Sequence, residues 1–385
     1  MILEDRMITV AIIGAGVMAR NIAIRAKELN IKSICFAWAN GAVAKDYVDT
    51  FYDISIFETD KIVEICEREK INGVLATTEL TVKIAGTIAE KLGLNGNPSF
   101  VYQNITNKGY VRSKLKKSNW IGLQPAFQLV TEKKEPIITK YPVIVKPVSF
   151  GGKRGLSVVH DNQELTNALN YAWETIGDRN SDGLIIEEFL NGGKEYSVET
   201  LSFNGKHHVI QITQKDSSGA PHCVELGHHQ PAELAQEIWD KVVNTIKNLL
   251  EIMEIQNGPC HIEIKIIENK IYLIEINARP GGDFITYPLT ELSSGYKYLT
   301  GIILTACDIY YNPDFYSGKK QFAGVYFVTK QTEFLKNIFE QCDNKPWLYK
   351  KNKVSDELQE ISHNDCYHIN SFIYCSENKP CILGE

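Results

Sequence analysis

Apolar residues recur along this chain with two different periods, and the switches between them outline its organisation. Residues 8–13 (Ile-Thr-Val-Ala-Ile-Ile) form a short apolar run that stops at Gly14-Ala15-Gly16, and residues 17–29 then carry apolar side chains at helical spacing. This reads as strand, glycine turn and helix. Further strands are predicted over 34–38 and 73–76, and helices over 61–69 and 82–92. Strands alternating with helices imply a parallel sheet covered by helices, a Rossmann-like unit expected to end near Asn104.

The pattern then changes. A basic, helix-compatible stretch over 107–123 leads into an apolar strand ending at Lys146, followed by a glycine-rich turn and a strand over 156–160. Asp161 with Glu164 three positions on is a variant of the capping box and opens a helix. Strands are predicted over 184–189 and 195–203, and Asn204-Gly205 is a strong hairpin signal that returns the chain through 209–212. Leu234, Ile238, Val242, Leu249 and Met253 mark a long amphipathic helix, and a last clear hairpin runs over 260–267 and 271–277. Beyond Tyr310 the signals weaken. With 385 residues and a prior of about 150 per domain, the expectation is a mixed α/β and α+β multidomain chain, divided as 1–105, 106–310 and a closing subdomain over 311–385.

Composition narrows the function classes. Forty-seven acidic against 41 basic residues leave a formal charge of -6 without long charge blocks, which argues against a nucleic-acid partner. No run of about 18 apolar residues could span a bilayer, and the first six residues lack the apolar core of a signal peptide, so no membrane partner is expected. Nine scattered cysteines with no Cys-x-x-Cys pair fit reduced thiols in the cytoplasm. His363, Cys366, His368, Cys375 and Cys381 lie close in sequence but have the wrong spacing for zinc, and are read as ordinary residues.

The strongest chemical signal is the late hairpin. If Glu268-Asn269-Lys270 is a three-residue loop with Ile267 facing Ile271, then Lys265 faces Leu273 and Glu263 faces Glu275. Like charges directly across a strand pair are destabilising by several tenths of a kcal/mol, so the register implies a cation between them. The period of two adds Asn277 and Arg279 to the same face, giving two carboxylates and an amide oxygen of the kind Mg2+ prefers. A solvated charged hairpin is the plain alternative.

Two earlier segments suit phosphate. Lys146 ends an apolar strand before a loop containing Gly151, Gly152, Lys153, Arg154 and Gly155, where glycines let backbone N–H groups approach phosphate oxygens. The loop lacks the Gly-Lys-Ser/Thr ending of a P-loop. Ile185-Ile186-Glu187-Glu188-Phe189-Leu190, then Gly192-Gly193 and Glu195, offers a strand edge for an adenine and a carboxylate for a ribose.

Lys108, then Lys146 with its glycine loop, then Glu187 to Leu190 with Glu195, then Glu263 with Glu275-x-Asn277-x-Arg279, stand in an order that resembles the ATP-grasp superfamily. The likeness covers about residues 107–310, and the preceding unit looks like a pre-ATP-grasp domain. Glu275-Ile276-Asn277-Ala278-Arg279-Pro280-Gly281-Gly282-Asp283 is closest to the carboxylate–amine ligases, including L-amino acid ligases. The resemblance implies that Lys108 and Lys146 hold ATP phosphates and that Gly151, Gly152, Lys153 and Arg154 close over the γ-phosphate. It implies that Glu187 and the backbone of Glu188 and Leu190 bind adenine, and that Glu195 binds ribose. Glu263, Glu275 and Asn277 would carry two Mg2+ ions, with Mn2+ an alternative, and Arg279 would steady the acyl phosphate. Gly281, Gly282 and Asp283 would border the substrate. His228 or His229, in Gly227-His228-His229-Gln230-Pro231, would contact it if this run is more than a polar turn before the long helix. The implied partners are a small carboxylate and an amine, with a homodimer left open as the assembly.

Three rival readings remain. Gly14-Ala15-Gly16-Val17-Met18-Ala19 matches a dinucleotide fingerprint, but Cys35-Phe36-Ala37-Trp38 ends the second strand without the acid that an NAD ribose needs. A carboxylase-like enzyme activating bicarbonate would use the same ATP machinery, and a non-catalytic nucleotide-binding module would not need all three metal-side residues.

Overall fold

In the computed structural model, residues 7–383 are described apart from 135, 150, 152–153, 178–182, 220–222, 316–319 and 364–365. The N-terminal alternation folds as a parallel sheet in the order β3-β2-β1-β4, from β1 (Thr9–Ile13), β2 (Lys32–Ala37), β3 (Thr50–Asp53) and β4 (Gly73–Ala76). β3 escaped the sequence reading because it is a four-residue edge strand with no fully buried residue. Helices Val17–Glu28 and Thr59–Arg68 pack on opposite faces, so the strands are apolar throughout rather than alternating.

A four-stranded antiparallel sheet follows, in the order β5-β8-β6-β7: β5 (Phe127–Val130), β6 (Val143–Pro147), β7 (Ser157–Val159) and β8 (Leu184–Glu188). Helix Asn162–Ile176 covers it. As its sequence indicates, Asp161 accepts hydrogen bonds from the N–H groups of Gln163 and Glu164, while Glu164 accepts one from the N–H of His160.

The third sheet has eight strands in the order β13-β12-β9-β10-β11-β14-β16-β15. These are β9 (Lys194–Phe203), β10 (Lys206–Ser217), β11 (Glu225–Gln230), β12 (Gly258–Ile267), β13 (Lys270–Asn277), β14 (Phe322–Val328), β15 (Leu348–Asn352) and β16 (Asn370–Ser376). The segment after Tyr310 thus adds three strands to this sheet. Strand alternation divides the faces of β9 to β13 sharply. Val198, Ile212, Ile262, Ile264, Leu273 and Ile276 join the core beneath helix Gln236–Ile252. The opposite face is polar: Glu275 lies across from Glu263, Glu263 from Ser197, and Ser197 from Thr213, with Asn277, His261, Glu199 and Gln211 forming the next row. Among the described residues, no helix is long and apolar enough to cross a membrane.

Candidate active site

Glu263 and Glu275 are paired across β12 and β13, but the turn differs from the expected three-residue loop. Ile267 pairs with Lys270, and Glu268 and Asn269 both have positive φ, 49° and 61°. A two-residue turn of this kind matches the twist of the strands. It would offset the glutamates by one, and a β-bulge at Ile274 restores their pairing. Arg112 fixes that bulge. Its Nη2 donates to the Ile274 carbonyl at 2.8 Å, and its Nε donates to Glu187 Oε1 at 2.8 Å.

Glu187 is buried, and its other oxygen lies 2.6 Å from Lys146 Nζ. Burial alone would raise its pKa, but Arg112 and Lys146 outweigh it and hold the carboxyl at about 2. Burial pushes Lys146 down. Lys146 and Glu187 are therefore together, and both oxygens of Glu187 face cations inside the protein rather than an open adenine edge. Glu188 donates its N–H to the Ala126 carbonyl, and the Leu190 carbonyl accepts from Lys265 Nζ at 2.8 Å. Glu195 lies 3.8 Å from the same ammonium.

Lys108 reaches the hairpin from the first turn of helix Lys108–Lys116, which Asn107 caps by accepting the N–H of Tyr110. A cation at a helix N-terminus opposes the helix dipole. The opposition is offset by Glu275, whose Oε1 is 3.3 Å from Lys108 Nζ. Burial disfavours this ammonium, yet Glu275 and Glu79 together raise its pKa. On the other side, Lys215 Nζ is 2.7 Å from Glu263 Oε1. The two facing carboxylates are each matched by a lysine.

Asn277 Oδ1 is buried with no hydrogen-bond partner among the described residues. Two carboxylates beside an unpartnered amide oxygen form a hard-oxygen set that fits Mg2+. Arg279 follows on the same ribbon, with Nη1 donating to the Pro280 carbonyl and Nε buried without a partner among the described residues. Gly281 is required by close approach, since a Cβ there would lie 2.6 Å from His261 Nδ1. His261 lies between Glu199, at 2.5 Å, and Glu263, at 3.4 Å. Burial works against its charge, but Glu199 raises its pKa to about 9.

Sequence reasoning missed Glu79, at the start of helix Glu79–Leu92. It is close enough to the glycine loop that a Cβ on Gly151 would clash with its Oε2. Burial and then Glu275 raise its pKa, against Lys108, Arg279 and Arg154. Its place just beyond the carboxyl end of β4 is the available signal, because open parallel sheets bind ligands there. Arg154 is exposed and donates from Nε to the Gly151 carbonyl; Gly152 and Lys153 lie outside the described residues.

His228 and His229 occupy strand β11, not a turn, so they point to opposite faces. His228 is fully buried, with Nε2 3.0 Å from Glu225 Oε2, and one ligand atom each of Glu225, His228 and Asp283 lie within 4.8 Å of one another. Asp283 and Phe284 both adopt positive φ, which folds the chain after Gly282 back towards this group. His229 faces away and bonds Asp216 at 2.8 Å and Tyr374 at 3.0 Å.

A family model described as ATP-grasp domain matches residues 139–287. Over 284 residues, 71% of this chain and 70% of the relative, the sequence is 24% identical to a formate-dependent phosphoribosylglycinamide formyltransferase of Wolinella succinogenes. It is 30% identical over 146 residues to a D-alanine–D-alanine ligase of Flavobacterium johnsoniae, 36% of this chain and 43% of that one. The crystal structure of an L-amino acid ligase from Bacillus licheniformis superposes with a TM-score of 0.79 at 21% identity, covering 97% of this chain and 95% of that one. The matched segment contains Lys146, Glu187, both facing glutamates, Asn277 and Arg279, so the candidate site lies largely within the stretch that matches the ATP-grasp domain model.

Proposed function

We propose that the protein is an ATP-dependent carboxylate–amine ligase that forms an amide or peptide bond through an acyl phosphate and releases ADP and phosphate. The observation that carries this reading is the facing pair Glu263 and Glu275 beside the unpartnered oxygen of Asn277, with Lys108 and Lys146 close by. Similarity to a D-alanine–D-alanine ligase, an L-amino acid ligase and a formate-dependent phosphoribosylglycinamide formyltransferase supports it. The cytoplasm is the proposed location.

When bound, two Mg2+ ions at Glu263, Glu275 and Asn277 would neutralise the triphosphate, which is most of what phosphoryl transfer needs. The remaining work falls to side chains. Lys108 and Lys146 bind phosphate oxygens, and Gly151 with Arg154 covers the outermost one. A substrate carboxylate oxygen attacks the terminal phosphorus, its bond to ADP breaks, and an acyl phosphate results. The amine then attacks the acyl carbon, Arg279 steadies the oxyanion, and phosphate leaves as the C–N bond forms. Glu79, whose burial favours holding a proton, takes the one lost by the amine. Gly281, Gly282, Asp283 and His228 border the substrates, and Glu195 with the strand edge at Glu188 and Leu190 takes the nucleoside.

A phosphate-release screen over amino acids, singly and in pairs, tests the reading. Release that requires a pair supports peptide ligation, whereas release with one amino acid alone, or with none, points to another acceptor. The Glu275→Gln variant is expected to release no ADP, and full turnover by it would refute the metal assignment.

A further inference from the structure

Lys215 lies on the polar face of the large sheet, opposite Glu195 on β9 and His228 on β11, and is buried. Its ammonium stands between two carboxylates at nearly equal distance, Glu263 Oε1 at 2.7 Å and Glu225 Oε1 at 2.6 Å. Glu263 belongs to the metal face. Glu225 belongs to the separate group with His228 and Asp283, reached by the sharp backbone turn at Asp283 and Phe284. One cation thus neutralises a member of each group. A divalent ion on Glu263 would set two further positive charges beside that ammonium, and like charges at contact distance in a poorly solvated site repel strongly. Glu225 offers the ammonium a second partner without any need to leave its place.

We propose that Lys215 is an internal counter-cation that competes with divalent metal for Glu263 and, when displaced, passes to Glu225, so that metal loading sets the charge of the pocket formed by Glu225, His228 and Asp283. This rests on the reading of Glu263 as a metal ligand. With Lys215 shared, Glu225 keeps part of its negative charge and repels a substrate carboxylate. With Lys215 released to it, the pocket accepts an anionic group. The nucleotide–metal side therefore fills before the acid is admitted.

Mn2+ titration of the nucleotide-free protein, followed by electron paramagnetic resonance, tests this independently of turnover. Lys215→Met should tighten Mn2+ binding about tenfold by removing the competing charge. Because that variant takes the Lys215 cation away from buried Glu225, the double variant Lys215→Met, Glu225→Gln removes both charges and should show the same tightening in a folded protein. Lys215→Arg should keep the wild-type affinity. If Glu263→Gln does not weaken Mn2+ binding in the wild-type background, the metal-face reading itself fails. If Glu263→Gln weakens binding but the double variant stays within about twofold of wild type, the metal face stands and the role of Lys215 is overturned.

Discussion

The cluster around Glu187 and the facing pair Glu263 and Glu275 each place glutamates among basic residues, and they do so in opposite ways. Glu187 is buried with each oxygen held by a different cation, Arg112 and Lys146, and one of these also secures the backbone bulge. Glu263 and Glu275 are partly open, with side-chain exposures of 24% and 19%, and their lysines come from distant elements, Lys215 also reaching Glu225. The first arrangement costs too much to take apart, because any loss strands a charge away from water. The second leaves one side of each carboxylate open to another partner. Doubly paired burial thus holds Glu187 in place, whereas the facing glutamates keep an open side.

Breaking each kind tests the distinction. Arg112→Met removes a partner of Glu187 and should destabilise the protein by about 3–5 kcal/mol, read from the denaturant midpoint. A loss below about 1 kcal/mol would mean the triad is not structural. Glu275→Gln should leave stability within about 1 kcal/mol while reducing turnover by roughly 10²–10³-fold or more. Comparable unfolding in both variants would erase the contrast.

The pH dependence of stability sharpens it further. His261 is raised from 6.5 to about 9 against burial by Glu199, so its contribution is fully present below pH 6.5 and is lost as pH rises through 9. Wild-type stability should fall by a few kcal/mol between pH 6 and 10 beyond the slope retained by His261→Gln. At the acid end, Glu187 is lowered from 4.5 to about 2, so the triad's contribution is present above pH 4.5 and disappears as pH falls through 2. The smallest effect belongs to the Asp161 cap, which touches neither arrangement. Asp161→Ala should cost about 1 kcal/mol in a melting experiment without changing ADP release.

Much of this was legible in the residues. The alternation of β1, β2 and β4 with helices and the capped helix after Asp161 follow from short-range rules of period and capping, whereas the pairing of Glu263 with Glu275 holds only because the bulge at Ile274 compensates for a shorter turn. The turn itself is shorter than the expected three-residue loop, because Glu268 and Asn269 adopt left-handed conformations that neither residue type demands. Gly227 and Pro231 flank the histidine pair and suggest a turn, whereas pairing with β10 and β14 makes it a strand.

By itself, then, the sequence determined which residues lie on the polar face of each strand, since that depends only on a period of two, and which of them carry hard oxygen or positive charge. Tertiary structure alone decided who neutralises whom. Arg112 meets the Ile274 carbonyl from 162 residues away, and Lys215 meets Glu263 across 48, distances over which no local rule operates. The bulge contact of Arg112 and the approach of Glu79 come from packing separate sheets together, the shared lysine comes from strand order within the largest sheet, and charge pairing inside them is fixed by burial rather than by spacing.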